Sequence, residues 1–277
     1  MSLTSQLAAT IRSAHDRNES ALGIFVTSGF PSPDRTLDVL SAVVRGGADF
    51  VELGMPFSDP LAEGLPIQRS SERALRHGIR MRDTLQTAAD FRAAHDVPLV
   101  LMGYANPVLR FGLGNFFDAA HSSGVQGVIL PDVPPEEADP FLDAASRAGI
   151  DLIMLVSPTT PDERIRRIDE MSSGFVYAVS VTGVTGTTLG AQDQISSYLD
   201  RVRSLLQRNP LMVGFGIRTQ ADVRRLSRSA DGCIVGSALI ELIEECYPAS
   251  SDGRSDSDAM DRIAGFVRSL KVGTRHE

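Results

Sequence analysis

Gly47-Ala48-Asp49-Phe50-Val51 closes one amphipathic stretch and opens an apolar one, and the pattern returns at Gly124-Val125-Gln126-Gly127-Val128, Gly149-Ile150-Asp151-Leu152-Ile153 and Ser229-Ala230-Asp231-Gly232-Cys233. Glycine just past a helix supplies the left-handed cap that turns the chain back, and the apolar residues after it start a strand. Recurrence marks a repeated strand–helix unit. Working outward, short apolar runs occupy residues 22–27, 50–53, 98–102, 127–130, 152–155, 175–181, 210–213 and 232–235. Their apolarity is continuous rather than alternating, as in parallel strands buried on both faces. Helix-period stretches at 35–45, 81–94, 136–147 and 196–208 lie between them. Eight such units in one chain predict an α/β protein, a single closed (β/α)8 barrel over residues 1–277 with extra helices. A doubly wound open sheet is the structural alternative. The polar stretch 248–258, PASSDGRSDSD, reads as a loop before a last helix over about 259–270.

The composition narrows the function classes. A chain of 277 residues that is 42% hydrophobic can bury a substantial core, and Lys+Arg 27 against Asp+Glu 35 leaves a net charge of -8. Nucleic acid is therefore an unfavourable partner, although one phosphate site needs no basic excess. Two cysteines, Cys233 and Cys246, are too few for a disulfide framework or a four-thiolate metal site. The first twenty residues hold no apolar core of signal-peptide length, and nowhere do about 18 apolar residues run together. The reading is a cytoplasmic protein that does not span a membrane. Asn18-Glu19-Ser20 spells a glycosylation acceptor only by chance in that compartment.

In a barrel the chemistry clusters where strands end at their carboxyl side. After the second strand comes Glu52-Leu53-Gly54-Met55-Pro56-Phe57-Ser58-Asp59-Pro60-Leu61-Ala62-Glu63-Gly64-Leu65-Pro66, with its carboxylates and prolines. Glu52 falls inside an apolar strand, where burial disfavours the charged carboxylate and raises its pKa, as a general acid or base requires. A structural ion pair with a neighbouring arginine is the competing reading. After the sixth strand comes Val181-Thr182-Gly183-Val184-Thr185-Gly186-Thr187-Thr188-Leu189-Gly190, which lacks the ending of a nucleotide P-loop. Gly214-Phe215-Gly216-Ile217 and Gly236-Ser237 close the seventh and eighth strands, where barrels commonly bind phosphate through backbone N–H groups and a helix amino terminus. The histidines, at 15, 77, 95, 121 and 276, avoid all predicted strand ends. A histidine base or zinc site is thereby disfavoured, and proton transfer falls to carboxylates. Asp132, in Leu130-Pro131-Asp132-Val133-Pro134, is an inward candidate and equally a turn cap.

Taken together, E-L-G-M-P-F-S-D-P at 52–60, P-D-V-P at 131–134, V-T-G-V-T-G at 181–186, G-F-G-I at 214–217 and G-S-A at 236–238 resemble the tryptophan synthase α-subunit family, in its motif order and over nearly the whole chain. The resemblance implies a TIM barrel that cleaves indole-3-glycerol phosphate to indole and glyceraldehyde 3-phosphate by a retro-aldol step in tryptophan biosynthesis. No metal or organic cofactor is implied in this chain. It implies a pyridoxal-phosphate-containing β subunit as partner in an α2β2 heterotetramer. Residue by residue, Glu52 matches the catalytic glutamate and Tyr177 the active-site tyrosine. Phe25 and Tyr104 match positions lining the indole pocket, and Asp132 is carried as a further substrate-side group. Gly186, Gly216, Gly236 and Ser237 match the phosphate cradle. Thr185 matches a threonine of the closing loop, and Pro56 and Asp59 match the loop that takes part in closure and in communication with the β subunit. The family usually reads L-A-D-G-P where this chain reads Leu61-Ala62-Glu63-Gly64-Leu65-Pro66. The family's aspartate accepts the indole N–H, so Glu63 keeps the charge on a longer arm. A displacement of about 1 Å in a catalytic group can cost on the order of 100-fold in rate. That departure motivates two alternatives: a stand-alone lyase or homologue with altered substrate, and a catalytically weak activating subunit.

Overall fold

The structure is a computed structural model and describes residues 5–60, 63–179, 189–214, 216–248 and 256–276. Eight parallel strands close into a barrel in chain order: β1 (Ala21–Thr27), β2 (Phe50–Gly54), β3 (Leu99–Met102), β4 (Gly127–Ile129), β5 (Asp151–Val156), β6 (Val176–Val179), β7 (Leu211–Gly214) and β8 (Gly232–Val235). The open-sheet alternative is excluded by the pairing of β1 with β8. All eight predicted strands are present, because a strand buried on both faces writes an unbroken apolar run into the sequence. The capping expectation also holds at three of the four repeats: Gly47, Gly124 and Gly149 have φ of 98°, 73° and 69°.

Twelve α-helices are present among the described residues. Helix α1 (Gln6–Asp16) lies at the amino-terminal mouth of the barrel, where Leu7 reaches towards Gly127 and Gly174. Helices α2 (Thr36–Arg45), α3 (Leu65–Arg76), α4 (Met81–Ala94), α5 (Ala105–Phe111), α6 (Leu113–Ser122), α7 (Asp139–Ala148), α8 (Asp162–Met171), α9 (Leu189–Leu205), α10 (Gln220–Leu226) and α11 (Ser237–Cys246) follow the strands, and α12 (Asp256–Gly273) packs against α2 and α10. Three predicted boundaries shift. Helix α7 starts at Asp139 rather than 136, with Pro140 in its first turn, where a missing N–H costs nothing. Helix α9 starts upstream of 196, at Leu189. Asp256, Ser257 and Asp258, read as loop, belong to the first turn of α12, where acidic side chains favour the helix dipole.

The barrel interior is filled by aromatic rings that fit beside glycines on neighbouring strands. A Cβ added to Gly23 would stand 2.3 Å from the Phe50 ring, and one added to Gly54 would stand 2.5 Å from the Phe25 ring. Phe50 packs on Phe175 at 5.7 Å between centroids, and Phe175 on Tyr177 at 5.9 Å. This stack fills the barrel from below and leaves Phe25, Glu52 and Tyr177 as its upper layer. Phe25 is paired in register with Glu52 across β1 and β2.

Candidate active site

Glu52 is centred on β2, between Phe25 of β1 and Val100 of β3 in register. It is 1% exposed, and its Oε2 has no hydrogen-bond partner. Among the described residues no arginine pairs with it, so the ion-pair reading of this residue fails. Burial pushes the Glu52 carboxyl up to about 8, and the negative charge of Glu63 adds to the rise. Burial alone pushes Glu63 up to about 7. Two carboxyls from the strand and from the loop after it therefore lie within each other's field, and the one with the higher pKa is the deeper.

Tyr177 of β6 stands in the same field. Burial, then the charges of Glu52 and Glu63, push its hydroxyl well above the usual phenol range, so it stays neutral wherever the protein is folded. Its ring lies over Gly214 at the end of β7, where an added Cβ would be 2.2 Å from the Tyr177 Oη. Glycine at 214 is thus required by space. Phe25 and Tyr104, both buried, extend the apolar wall, and Tyr104 stacks on Phe57 of the β2–α3 loop at 4.9 Å.

The loop is fixed at several points. Met55 donates its N–H to Met102 O at 2.7 Å, and Phe57 donates its N–H to Ser71 Oγ at 3.3 Å. The Gln68 side-chain amide donates to Glu63 O at 2.9 Å and to Pro60 O at 3.3 Å. Pro56 is half-buried; Asp59 is exposed and accepts the Ser58 hydroxyl at 2.5 Å. Just past β4, both oxygens of the exposed Asp132 carboxylate receive the Ala105 N–H, at 3.0 and 3.1 Å, which is the geometry of a helix cap for α5.

Against Phe25, helix α11 begins at Ser237 with Gly236 as its cap and no side chain bonded to its free N–H groups. Such a terminus carries partial positive charge and unsatisfied donors. Gly216 has φ of 65° and open space around its Cα. The Ser237 hydroxyl lies 3.3 Å from where a Cβ would sit on Gly64, so the carboxylate loop and the helix terminus face one cleft. Thr185 and Gly186 lie outside the described residues. Among the described residues, no group of three or more His, Cys, Asp or Glu side chains could hold a metal ion, and no helix is long and apolar enough to cross a membrane. The residue the sequence reading missed is Gln68, since a clamp made by a side chain on a neighbouring loop leaves no local pattern.

Comparison with known proteins agrees with this geometry. The family model described as tryptophan synthase alpha chain matches residues 11–274. The tryptophan synthase alpha chain of Geotalea uraniireducens is 42% identical over 98% of this chain and 98% of its own length. That of Roseiflexus castenholzii is 43% identical over 96% of this chain and 99% of its own. Among solved structures, the tryptophan synthase subunit alpha from Legionella pneumophila superposes with a TM-score of 0.88 at 34% identity, covering 98% of this chain and 99% of that one. A chain of M. tuberculosis tryptophan synthase, in its aminoacrylate- and BRD0059-bound form, superposes with a TM-score of 0.86 at 32% identity, covering 99% of this chain and 100% of that one.

Proposed function

The chain belongs to the tryptophan synthase alpha chain family, and from that premise we propose that its cleft cleaves indole-3-glycerol phosphate with Glu52 as acid, then base, and Glu63 as the acceptor of the indole N–H. The observation that carries the assignment is the Glu52 carboxyl itself, 1% exposed on β2 with no hydrogen-bond partner on Oε2, raised by burial and by the charge of Glu63 beside it. A carboxyl raised in this way holds its proton near neutral pH, as the acid of the reaction must.

The proton balance closes on Glu52. Its carboxyl protonates the ring carbon bearing the glycerol chain while Glu63 accepts the ring N–H as a hydrogen bond and stabilises the positive charge developing on nitrogen. The carbon–carbon bond then breaks, its electron pair returns to the ring, and the side-chain hydroxyl becomes the aldehyde. Glu52, now a carboxylate, takes that hydroxyl proton and returns to its starting state. Tyr177, neutral throughout, shapes the floor beside Glu52, and Phe25 and Tyr104 supply the apolar walls for the indole ring. Gly216, Gly236, Ser237 and the open terminus of α11 hold the phosphate, which a helix amino terminus favours. Asp132 acts through the cap on α5 that carries Tyr104 at its start, and in that way borders the substrate. Thr185 and Gly186 belong to this reading as the closing loop and the remaining part of the cradle.

Residues 1–277 are proposed as one barrel domain, located in the cytoplasm, where two buried cysteines are compatible with a reducing compartment. In this proposal the chain is one subunit of an α2β2 assembly whose β subunits carry pyridoxal phosphate, with Pro56 and Asp59 on the side facing the partner. The burial of Glu52, with Glu63 half-buried beside it, favours an active lyase over a weak activating subunit. The test is indole release from indole-3-glycerol phosphate by the purified chain, alone and with a tryptophan synthase β subunit, with Glu52→Gln as control. Release that the β subunit stimulates and Glu52→Gln removes supports the reading; release unchanged by either overturns it.

A further inference from the structure

Glu63 poses a physical problem that its position alone does not solve. Burial opposes its charge, its neighbours Gly64 and Leu65 are exposed, Leu65 at 69%, and its side chain has one more rotor than aspartate. A buried carboxylate with a solvent route beside it relaxes outward unless the backbone carrying it is held.

Gln68 makes the holding contacts. The Gln68 side-chain amide has two hydrogens; it gives one to Glu63 O at 2.9 Å and one to Pro60 O at 3.3 Å. Pro60 O also accepts the Glu63 N–H at 3.3 Å, so one carbonyl ties the turn to itself and to α3. Gln68 stands one helical turn into α3, and its own N–H goes to Gly64 O at 3.1 Å. The helix is in turn anchored to the barrel. Ser70 Oγ and Thr27 Oγ1 are 2.6 Å apart, Arg69 pairs with Glu244 at 2.7 Å, and Arg73 donates to Tyr247 O at 2.8 Å. A rigid helix therefore grips the loop at the residue that presents the carboxyl.

Resting on the lyase reading above, we propose that Gln68 is a positioning residue, whose side-chain amide clamps the carbonyls of Pro60 and Glu63 and so keeps the Glu63 carboxyl turned into the site beside Glu52. It does not touch the reacting atoms; it acts through Glu63.

Gln68→Met keeps the volume and removes both donors. With the β subunit present, it lowers kcat for indole release by roughly 10- to 100-fold, as misplacement of about 1 Å does, with KM changed by less than about 3-fold. The upper limb of the pH–rate profile moves to lower pH, because Glu52 loses part of the Glu63 charge. In a Glu63→Ala background the same substitution costs nothing further, since there is no carboxyl left to place. An equal loss in both backgrounds overturns the proposal, because it marks a general structural role. A second readout is independent of activity: amide hydrogen exchange at Glu63 becomes on the order of 10-fold faster in Gln68→Met. Unchanged exchange there overturns the clamp. If the unsubstituted chain releases no indole, the lyase reading is what fails, and the exchange measurement still decides the clamp by itself.

Discussion

The two ends of the barrel treat polar groups in opposite ways. At the amino-terminal end, Asp49, Gln126, Ser173 and Asp231 each precede an even-numbered strand, and each side chain accepts an N–H from the first or second residue of the strand before it, from Leu22, Leu99, Leu152 and Leu211 at 2.7, 2.7, 3.1 and 2.7 Å. Each of the four also donates its own N–H to the carbonyl of that same residue, at 2.8 to 3.0 Å. The result is a four-fold set of two-bond clasps, one for every pair of strands. Asp49 also pairs with Lys271 at 2.7 Å and Arg17 at 2.9 Å, and Asp231 with His15 at 3.0 Å. At the carboxyl-terminal end the deepest carboxyl has an oxygen with no partner, and the helix terminus facing it has no cap. Satisfied polar groups hold one end closed, and unsatisfied ones at the other wait for a substrate's N–H, hydroxyl and phosphate.

That contrast can be broken from either end. The largest effect is expected at Glu52: Glu52→Gln removes the transferable proton and lowers kcat for indole release by on the order of 1,000-fold or more, within the span of general acid–base and positioning effects. The same variant is more stable than the unsubstituted chain at pH 8 and above, because it no longer meets the cost of ionising a buried carboxyl, as thermal unfolding will show. At the other end, Asp49→Ala orphans the Leu22 N–H and uncouples Lys271. It destabilises by about 2–4 kcal/mol, which lowers Tm by roughly 4–12 °C, and it leaves kcat/KM for indole release unchanged within about 2-fold. Loss of activity without loss of stability in Asp49→Ala would erase the division between the two ends.

A smaller effect sharpens the contrast through pH. Both carboxyls are raised in the folded chain, from 4.5 to about 8 for Glu52 and about 7 for Glu63. The folded state therefore binds more protons than the unfolded state across that interval, and their contribution to stability is present at low pH and lost as pH rises towards 8. Urea denaturation at pH 6 and pH 8.5 should show this decline, and Glu52→Gln should flatten most of it. The activity of the complex follows a narrow bell, with limbs near 7 and 8 that belong to the pair. The smallest effect is Tyr177→Phe: the hydroxyl is neutral at working pH and shapes the floor beside Gly214, so kcat falls by less than about 10-fold.

The clasps explain how much of the molecule the sequence revealed. Asp49, Gln126 and Asp231 stand at the same place in the repeat and perform the same backbone task; Asp151 stands at that place in the fourth repeat but accepts the Ser5 hydroxyl instead, and Ser173 performs the task from a different local sequence. Strands were legible because burial on both faces enforces continuous apolarity. Helix starts at Asp139, Leu189 and Asp256 were less so, since the first turn tolerates proline and acidic residues that also serve loops. Glu52 was legible as a carboxylate out of place in an apolar run. Its partnership with Glu63 was not derivable from spacing, because the fold of the intervening loop decides whether residues eleven apart meet. Asp132 illustrates the converse: its position allowed two roles, and the bond from Ala105 N–H shows which one the backbone uses.

At the open end Glu52 holds its proton at neutral pH beside an ionisable Glu63. Carboxyl-carbon NMR titration of the unliganded chain, labelled at glutamate and assigned with Glu52→Gln and Glu63→Gln, measures this directly. One glutamate is expected to titrate near 8 and to disappear in Glu52→Gln, and a second near 7 to disappear in Glu63→Gln. Both residues titrating in the ordinary range near 4.5 would contradict it.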